Sequence, residues 1–137
     1  MKIEKDAKRR GVGKTVLIVD DSPLIRRMIA DAFLSDGFKA CVEAENGKEG
    51  IRAAEQLNPD VIILDHSMPV MNGLEAAPKL KRISPNTPIV LFTLYGRELL
   101  RGQAYPVEID LVLPKTTPLL ALIEKAHELI GRSLESC

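Results

Sequence analysis

Short all-apolar runs alternate along the chain with longer stretches whose apolar residues recur at helical spacing. Thr15-Val16-Leu17-Ile18-Val19 reads as a first strand and stops at Asp20-Asp21. Ser22-Pro23 then opens a helix, with Ser as N-cap and Pro at the first helical position. Leu24, Ile25, Met28, Ile29, Ala32 and Phe33 form its apolar stripe, and Gly37 ends it. Lys39 to Ala44 reads as a weaker strand at an edge, and Gly47 to Leu57 as a helix closed by Asn58-Pro59. Val61-Ile62-Ile63-Leu64 is apolar at every position, as a strand buried on both faces must be, and it runs straight into Asp65. Leu74 to Ile83 is helical in pattern. Pro78 lies inside it, so this helix either kinks or begins late. Pro88 to Thr93 and Ile109 to Leu113 complete the strands, with a short helix expected over Glu98 to Gln103. Thr116-Thr117-Pro118 starts a last helix, which Leu119, Leu122, Ile123, Ala126, Leu129 and Ile130 carry to Gly131.

Five strands alternating with five helices predict a doubly wound α/β fold with a parallel sheet and helices on both faces. The 137 residues, 45% of them hydrophobic, suit one domain around one core. Net charge is zero, which argues against nucleic acid or an anionic membrane as the main partner. The first 14 residues carry six cations against Glu4 and Asp6, so the start is basic and reads as a solvated tail over residues 1–13. Cys41 reads as a small core residue and Cys137 as an exposed end; neither points to a disulfide framework. No apolar run reaches the length of a membrane span, and the cytoplasm is the expected compartment.

The chemistry gathers where strands end. Asp20 and Asp21 follow the first strand, Asp65 the third, Thr93 closes the fourth and Lys115 follows the fifth. One aspartate after a strand is ordinary loop chemistry. Three carboxylates, a hydroxyl and an amine on one rim of a parallel sheet are a site. Crowded carboxylates need a proton or a cation, and an oxygen-rich site with few ligands suits Mg²⁺. An aspartate can attack phosphorus and become an acyl phosphate, after which positioning and charge neutralisation do the rest.

These residues, with the loop Asp65-His66-Ser67-Met68-Pro69-Val70-Met71-Asn72-Gly73, resemble the receiver domains of bacterial two-component response regulators over about residues 14–132. The resemblance implies a flavodoxin-like three-layer sandwich, strand order 2-1-3-4-5, with the domain expected over residues 14–133. It implies Asp65 as phospho-acceptor and Asp20, Asp21, Asp65 and the Ser67 backbone carbonyl as Mg²⁺ ligands. Thr93 would be the switch hydroxyl and Lys115 the cation that pairs with the phosphoryl group. It also implies a histidine kinase or phosphotransfer protein as donor, a downstream protein or a homodimer contacting the face formed by 94–116, and a signalling acceptor rather than an enzyme. No output domain follows Ser133, so a stand-alone domain acting through another protein is expected; a piece of a longer regulator fits the same residues.

Several positions depart from the family pattern. Leu94 stands where a small residue is usual, and either narrows the phosphoryl pocket or points away into the apolar rim. Val112 stands where an aromatic often swings inward, and Thr116 where a proline usually follows the lysine. Tyr95 and Tyr105 read equally as interface anchors or as cover for the core. An alternative function is therefore a pseudo-receiver, an interaction module independent of phosphate; a third is a metal-dependent phosphohydrolase. Gly11-Val12-Gly13-Lys14-Thr15 is not a P-loop, because Lys8 occupies the place of the first glycine and a strand, not a helix, follows. His66 has no second metal ligand at useful spacing, and His127 reads as a surface residue of the last helix.

Overall fold

The structure is a computed structural model and describes residues 12–94 and 106–135, the last three as backbone. Five parallel strands, β1 (Thr15–Val19), β2 (Ala40–Ala44), β3 (Val61–Leu64), β4 (Ile89–Thr93) and β5 (Leu111–Pro114), form one sheet in the order β2-β1-β3-β4-β5. Four helices connect or follow them: α1 (Pro23–Ser35), α2 (Gly47–Leu57), α3 (Gly73–Ile83) and α4 (Leu119–Glu135). The helix expected over Glu98 to Gln103 and both tyrosines, Tyr95 and Tyr105, lie outside the described residues.

The side-chain alternation of β3 explains the three layers. Val61 and Ile63 join Val16, Ile18, Val90 and Phe92 in a core covered by α1 and α4, through Phe33, Leu122 and Ala126 among others. Ile62 and Leu64 join Leu17, Val19 and Leu91 in a second core covered by α2 and α3, through Ala54, Ala77 and Leu80. A strand with period two and apolar residues at every position can only sit between two such cores. β2 is partly exposed, as an edge requires.

The helix ends follow local chemistry. Ser22 caps α1 by accepting the Ile25 N–H, and Asn72 and Glu75 form a reciprocal capping box at the start of α3. That cap places the start of α3 at Gly73, so the helix does not begin late. Pro78 sits well inside it and leaves the Leu74 carbonyl without its usual intrahelical donor. At the end of α1, Gly37 takes φ 102°, the Phe38 N–H donates to the Phe33 carbonyl and the Gly37 N–H to that of Leu34. This is a Schellman motif, and the Phe33 and Phe38 rings meet edge-on at 4.8 Å, supplying its apolar contact.

Three expectations shift. α4 runs through Gly131 to Glu135 rather than stopping there. A glycine costs a helix only about 1 kcal/mol, and Gly131 does not take the positive φ that ends α1 at Gly37. β5 begins at Leu111 rather than Ile109, because the Ile109 N–H is held in a turn by the Pro106 carbonyl. Val12, within the range read as a tail, makes an antiparallel bridge to Phe38.

His127 is not a surface residue. Its side chain is 9% exposed and its Nε2 lies 2.6 Å from Asp36 Oδ2, at the C-cap of α1. The ring also packs near Phe38, at 5.9 Å between centroids. Its partner is 91 residues away in sequence, which no helical stripe encodes. Replacing His127 with Ala leaves a largely buried carboxylate without its partner and is expected to lower unfolding stability by about 2 kcal/mol. The Asp36→Asn/His127→Ala double variant, measured by urea denaturation, is expected to lose less than the two single losses combined.

Candidate functional site

Strand register builds the site. Val19 lies opposite Leu64, so Asp20 and Asp65 leave the sheet side by side. Thr93 lies opposite Pro114, so Lys115 leaves β5 beside the end of β4. Backbone bonds continue the register one residue further: Asp65 N–H to Val19 O at 2.8 Å, and Lys115 N–H to Thr93 O at 2.9 Å.

The Lys115 ammonium lies 2.7 Å from Asp20 Oδ2 and 3.3 Å from Asp65 Oδ2. All three side chains are largely buried, at 12%, 3% and 6% exposure. Carboxylate oxygens of Asp20, Asp21 and Asp65 fall within 4.8 Å of one another, with Asp21 exposed. Asp20 is oriented by the Ser22 N–H, which donates to Oδ1 at 2.9 Å. Asp65 Oδ1 accepts the His66 N–H at 2.9 Å. A cavity of about 500 Å³ opens above, lined by Asp21, Ser22, Ile25, Asp65, Ser67, Leu94 and Lys115. Thr93 is fully buried at the end of β4. Leu94 lines the cavity and is 71% exposed, so it does not turn away into the core. Val112 is core, packed on the α2 and α3 side.

Burial pushes the Asp65 carboxyl up, and the Asp20 charge pushes it further. Lys115, by charge and hydrogen bond, and the His66 N–H pull back, leaving it raised to about 6. Burial lowers the Lys115 ammonium, but the hydrogen bond to Asp20 and the charges of Asp65 and Asp20 outweigh this, and its net shift is upward.

The loop after Asp65 explains its own motif. Met68 and Met71 pack against the core and anchor it, while Pro69 and Val70 face solvent. The Met71 N–H donates to the Pro69 carbonyl at 2.7 Å across Val70 at φ 69°, a γ-turn strained for a β-branched residue. The Met71 carbonyl in turn accepts the Gly47 N–H at 3.1 Å, tying the loop to α2. Gly73 donates to the His66 carbonyl at 2.9 Å, and a Cβ there would collide with the Asp65 carbonyl oxygen.

Every residue expected in the site is therefore on this rim, with Asp20, Asp65 and Lys115 in direct contact. Sequence reasoning missed Arg26. Its guanidinium donates to the Asp20 carbonyl at 2.6 Å and pairs with Glu43 at 3.1 Å, bracing the acidic pair from behind. Its only sequence signal is a cation one turn into a helix that starts beside Asp21.

A profile of the response regulator receiver domain matches residues 16–127. The chain belongs to this family. Similar relatives include the chemotaxis protein CheY of Thermotoga maritima, 37% identical over 87 residues, which are 64% of this chain and 72% of that protein. The phosphate regulon transcriptional regulatory protein PhoB of Pseudomonas aeruginosa is 36% identical over 124 residues, 89% of this chain and 54% of that protein. This receiver domain thus spans about half of PhoB. Among solved structures, the response regulator TrrA of Thermotoga maritima in complex with Mg²⁺-BeF superposes with a TM-score of 0.76 at 31% identity, covering 85% of this chain and 98% of that one. A CheY-like receiver domain protein of Methanospirillum hungatei shares the fold with a TM-score of 0.80 at 22% identity, over 91% and 99% of the two chains. Among the described residues, no helix of this receiver domain is long and apolar enough to cross a membrane.

Two predictions follow from the geometry. Gly73→Ala is expected to cost about 3 kcal/mol or more in chemical denaturation, because the strand end bearing Asp65 must move to admit the methyl group. The second concerns pH. Asp65 ionises near 3.8 when unfolded and near 6 when folded, so between these values the unfolded state alone has lost its proton. Stability therefore falls as pH rises through this window and stays lower above it. In EDTA, Asp65→Asn is expected to be more stable than the wild type by roughly 2 kcal/mol at about pH 7.5, with the gain vanishing below about pH 4. Paired thermal melts across pH check both ends.

Proposed function

We propose that this receiver domain is a phosphorylation-driven signalling switch that accepts a phosphoryl group on Asp65. The observation that carries the reading is a buried carboxylate in contact with a second carboxylate and an ammonium, at the floor of a cavity open to solvent. The donor is a phosphohistidine on a histidine kinase or phosphotransfer protein. An Asp65 oxygen attacks phosphorus, the P–N bond breaks, and its electron pair returns to the imidazole, which takes up a proton.

The donor set fits Mg²⁺: hard carboxylate oxygens, few in number, two buried and one exposed beside a cavity with room for water. Asp20, Asp21, Asp65 and the Ser67 carbonyl would hold it. When bound it supplies positive charge to the phosphoryl oxygens. Lys115 pairs with a phosphoryl oxygen, exchanging one anionic partner for another. The Thr93 hydroxyl turns toward the group, and the buried end of β4 moves with it.

Adding charge and acceptor oxygens at one spot biases the domain between two arrangements. The segment 94–116, of which residues 95–105 lie outside the described residues and Leu94 and Val107 are exposed, would carry that bias to a downstream protein or a second copy. Catalytic turnover of an outside substrate is not part of this reading; the domain is acceptor, with slow loss of its own phosphoryl group.

Incubation with Mg²⁺ and beryllofluoride, or with acetyl phosphate, tests it. Mass spectrometry or ¹⁹F NMR is expected to show one adduct per wild-type chain and none on Asp65→Asn. A folded wild type that binds Mg²⁺ yet takes no adduct from either reagent removes the reading and leaves the phosphate-independent interaction module.

A further inference from the structure

Arg26 and Arg27 follow one another in α1 and behave differently. Arg27 is exposed. The Arg26 side chain is only 14% exposed and is held at both edges of its guanidinium. Its Nε donates to Glu43 Oε1 on β2 at 3.1 Å, and its Nη1 donates to the Asp20 carbonyl at 2.6 Å. A guanidinium largely out of water needs such partners. The ion pair with Glu43 would satisfy that need by tying α1 to β2, with no bearing on function. The bond to Asp20 is more particular. That carbonyl belongs to the peptide joining Asp20 to Asp21, just beyond the end of β1. The Asp20 carboxylate has supports of its own, the Ser22 N–H and the Lys115 ammonium. Asp21 is exposed, so its carboxylate takes its place from the backbone that carries it. That backbone begins with the peptide Arg26 holds.

We propose that Arg26, braced by Glu43, is a positioning residue for the Mg²⁺ site, fixing the peptide between Asp20 and Asp21 so that both carboxylates meet one ion. The proposal rests on Asp20, Asp21 and Asp65 forming that site. Mg²⁺ demands near-ideal octahedral geometry, whereas Ca²⁺ accepts a looser and more variable set of oxygens. A carboxylate pair whose connecting peptide can rotate therefore loses more of its hold on Mg²⁺ than on Ca²⁺. Charge works in the opposite direction. Arg26 is a cation behind the acidic cluster, and by Coulomb's law alone its removal would draw any divalent cation in more tightly. Position and charge thus predict opposite signs for the same substitution. Glu43 offsets part of that charge and holds the other edge of the guanidinium, so the edge strand β2 is linked to the site through one side chain.

The test uses the full chain with metal alone and no phosphodonor. Free Mn²⁺ is measured by its EPR signal, and Mg²⁺ and Ca²⁺ are titrated as competitors, well below the midpoint of each protein's thermal melt. Arg26→Met keeps an apolar stem and removes the charge and its donors. It is expected to weaken Mg²⁺ binding about tenfold and Ca²⁺ binding by no more than about twofold. Glu43→Ala leaves the guanidinium in place and frees one of its edges, and it carries the test if Arg26→Met does not fold. It is expected to shift the ratio of Mg²⁺ to Ca²⁺ affinity in the same direction by about threefold. The double variant is expected to match Arg26→Met alone, because both substitutions release the same peptide. Folded variants that bind Mg²⁺ as tightly as the wild type or more tightly, or that weaken both ions by one common factor, overturn the positioning role and leave the metal site intact. A folded wild type that binds Mn²⁺ no more tightly than the Asp20→Asn/Asp21→Asn variant overturns the metal site itself, and the positioning role with it.

Discussion

A lysine ammonium between two buried carboxylates is the constraint on which this structure turns. Asp20 and Asp65 emerge side by side because β1 and β3 are parallel and in register. Their mutual repulsion would be costly out of water, and Lys115, reaching across from the end of β5, relieves it. Relief is incomplete. The Asp65 carboxyl remains raised to about 6, so the ionised carboxylate is held at a cost to folding. That residual strain gives the site its appetite for positive charge, whether from a proton or a divalent cation, or for a chemical change that rearranges the charges.

The surroundings then read as supports for this one cluster. Arg26 braces the Asp20 carbonyl, the Ser22 N–H fixes its carboxylate, and the His66 N–H fixes that of Asp65. Gly73 lies under the Asp65 carbonyl where no side chain fits. The γ-turn at Val70 stores strain in the same loop, held by the packing of Met68 and Met71 and by the bond from Gly47. A loop pinned at both ends, with its unfavourable φ at the exposed tip, fixes the backbone that follows Asp65 while its tip stays in solvent.

The fold was legible wherever a local rule and the global packing agreed. β3 could be read from its unbroken apolar run, because only a strand between two cores needs one. Ser22-Pro23 and Gly37 marked both ends of α1 through cap chemistry that depends on immediate neighbours. The expectation failed at Gly131, where a mild propensity was read as a stop, and at Ile109, where burial was right but a turn took the N–H. Site residues were legible by type because each follows a strand, and a parallel sheet brings such positions to one rim. Their pairing was not: that Lys115 sits closer to Asp20 than to Asp65, and that His127 meets Asp36, depends on side chains far apart in sequence. No period or cap encodes a distance of that kind.

The same distinction bears on how the domain works. Asp20, Asp65 and Lys115 are held by register and burial, so their geometry is a property of the sheet and resists change. Val112 lies in β5 and Leu94 just past the end of β4, and the two are bound by different rules. Val112 is core and can change only at the expense of packing on the α2 and α3 side. Leu94 is outside both cores and can vary with little effect on stability. The chain can therefore vary at this edge of the cavity without disturbing the buried cluster. The charged cluster and the cavity's exposed edge are separable because one is buried in the sheet and the other stands outside both cores.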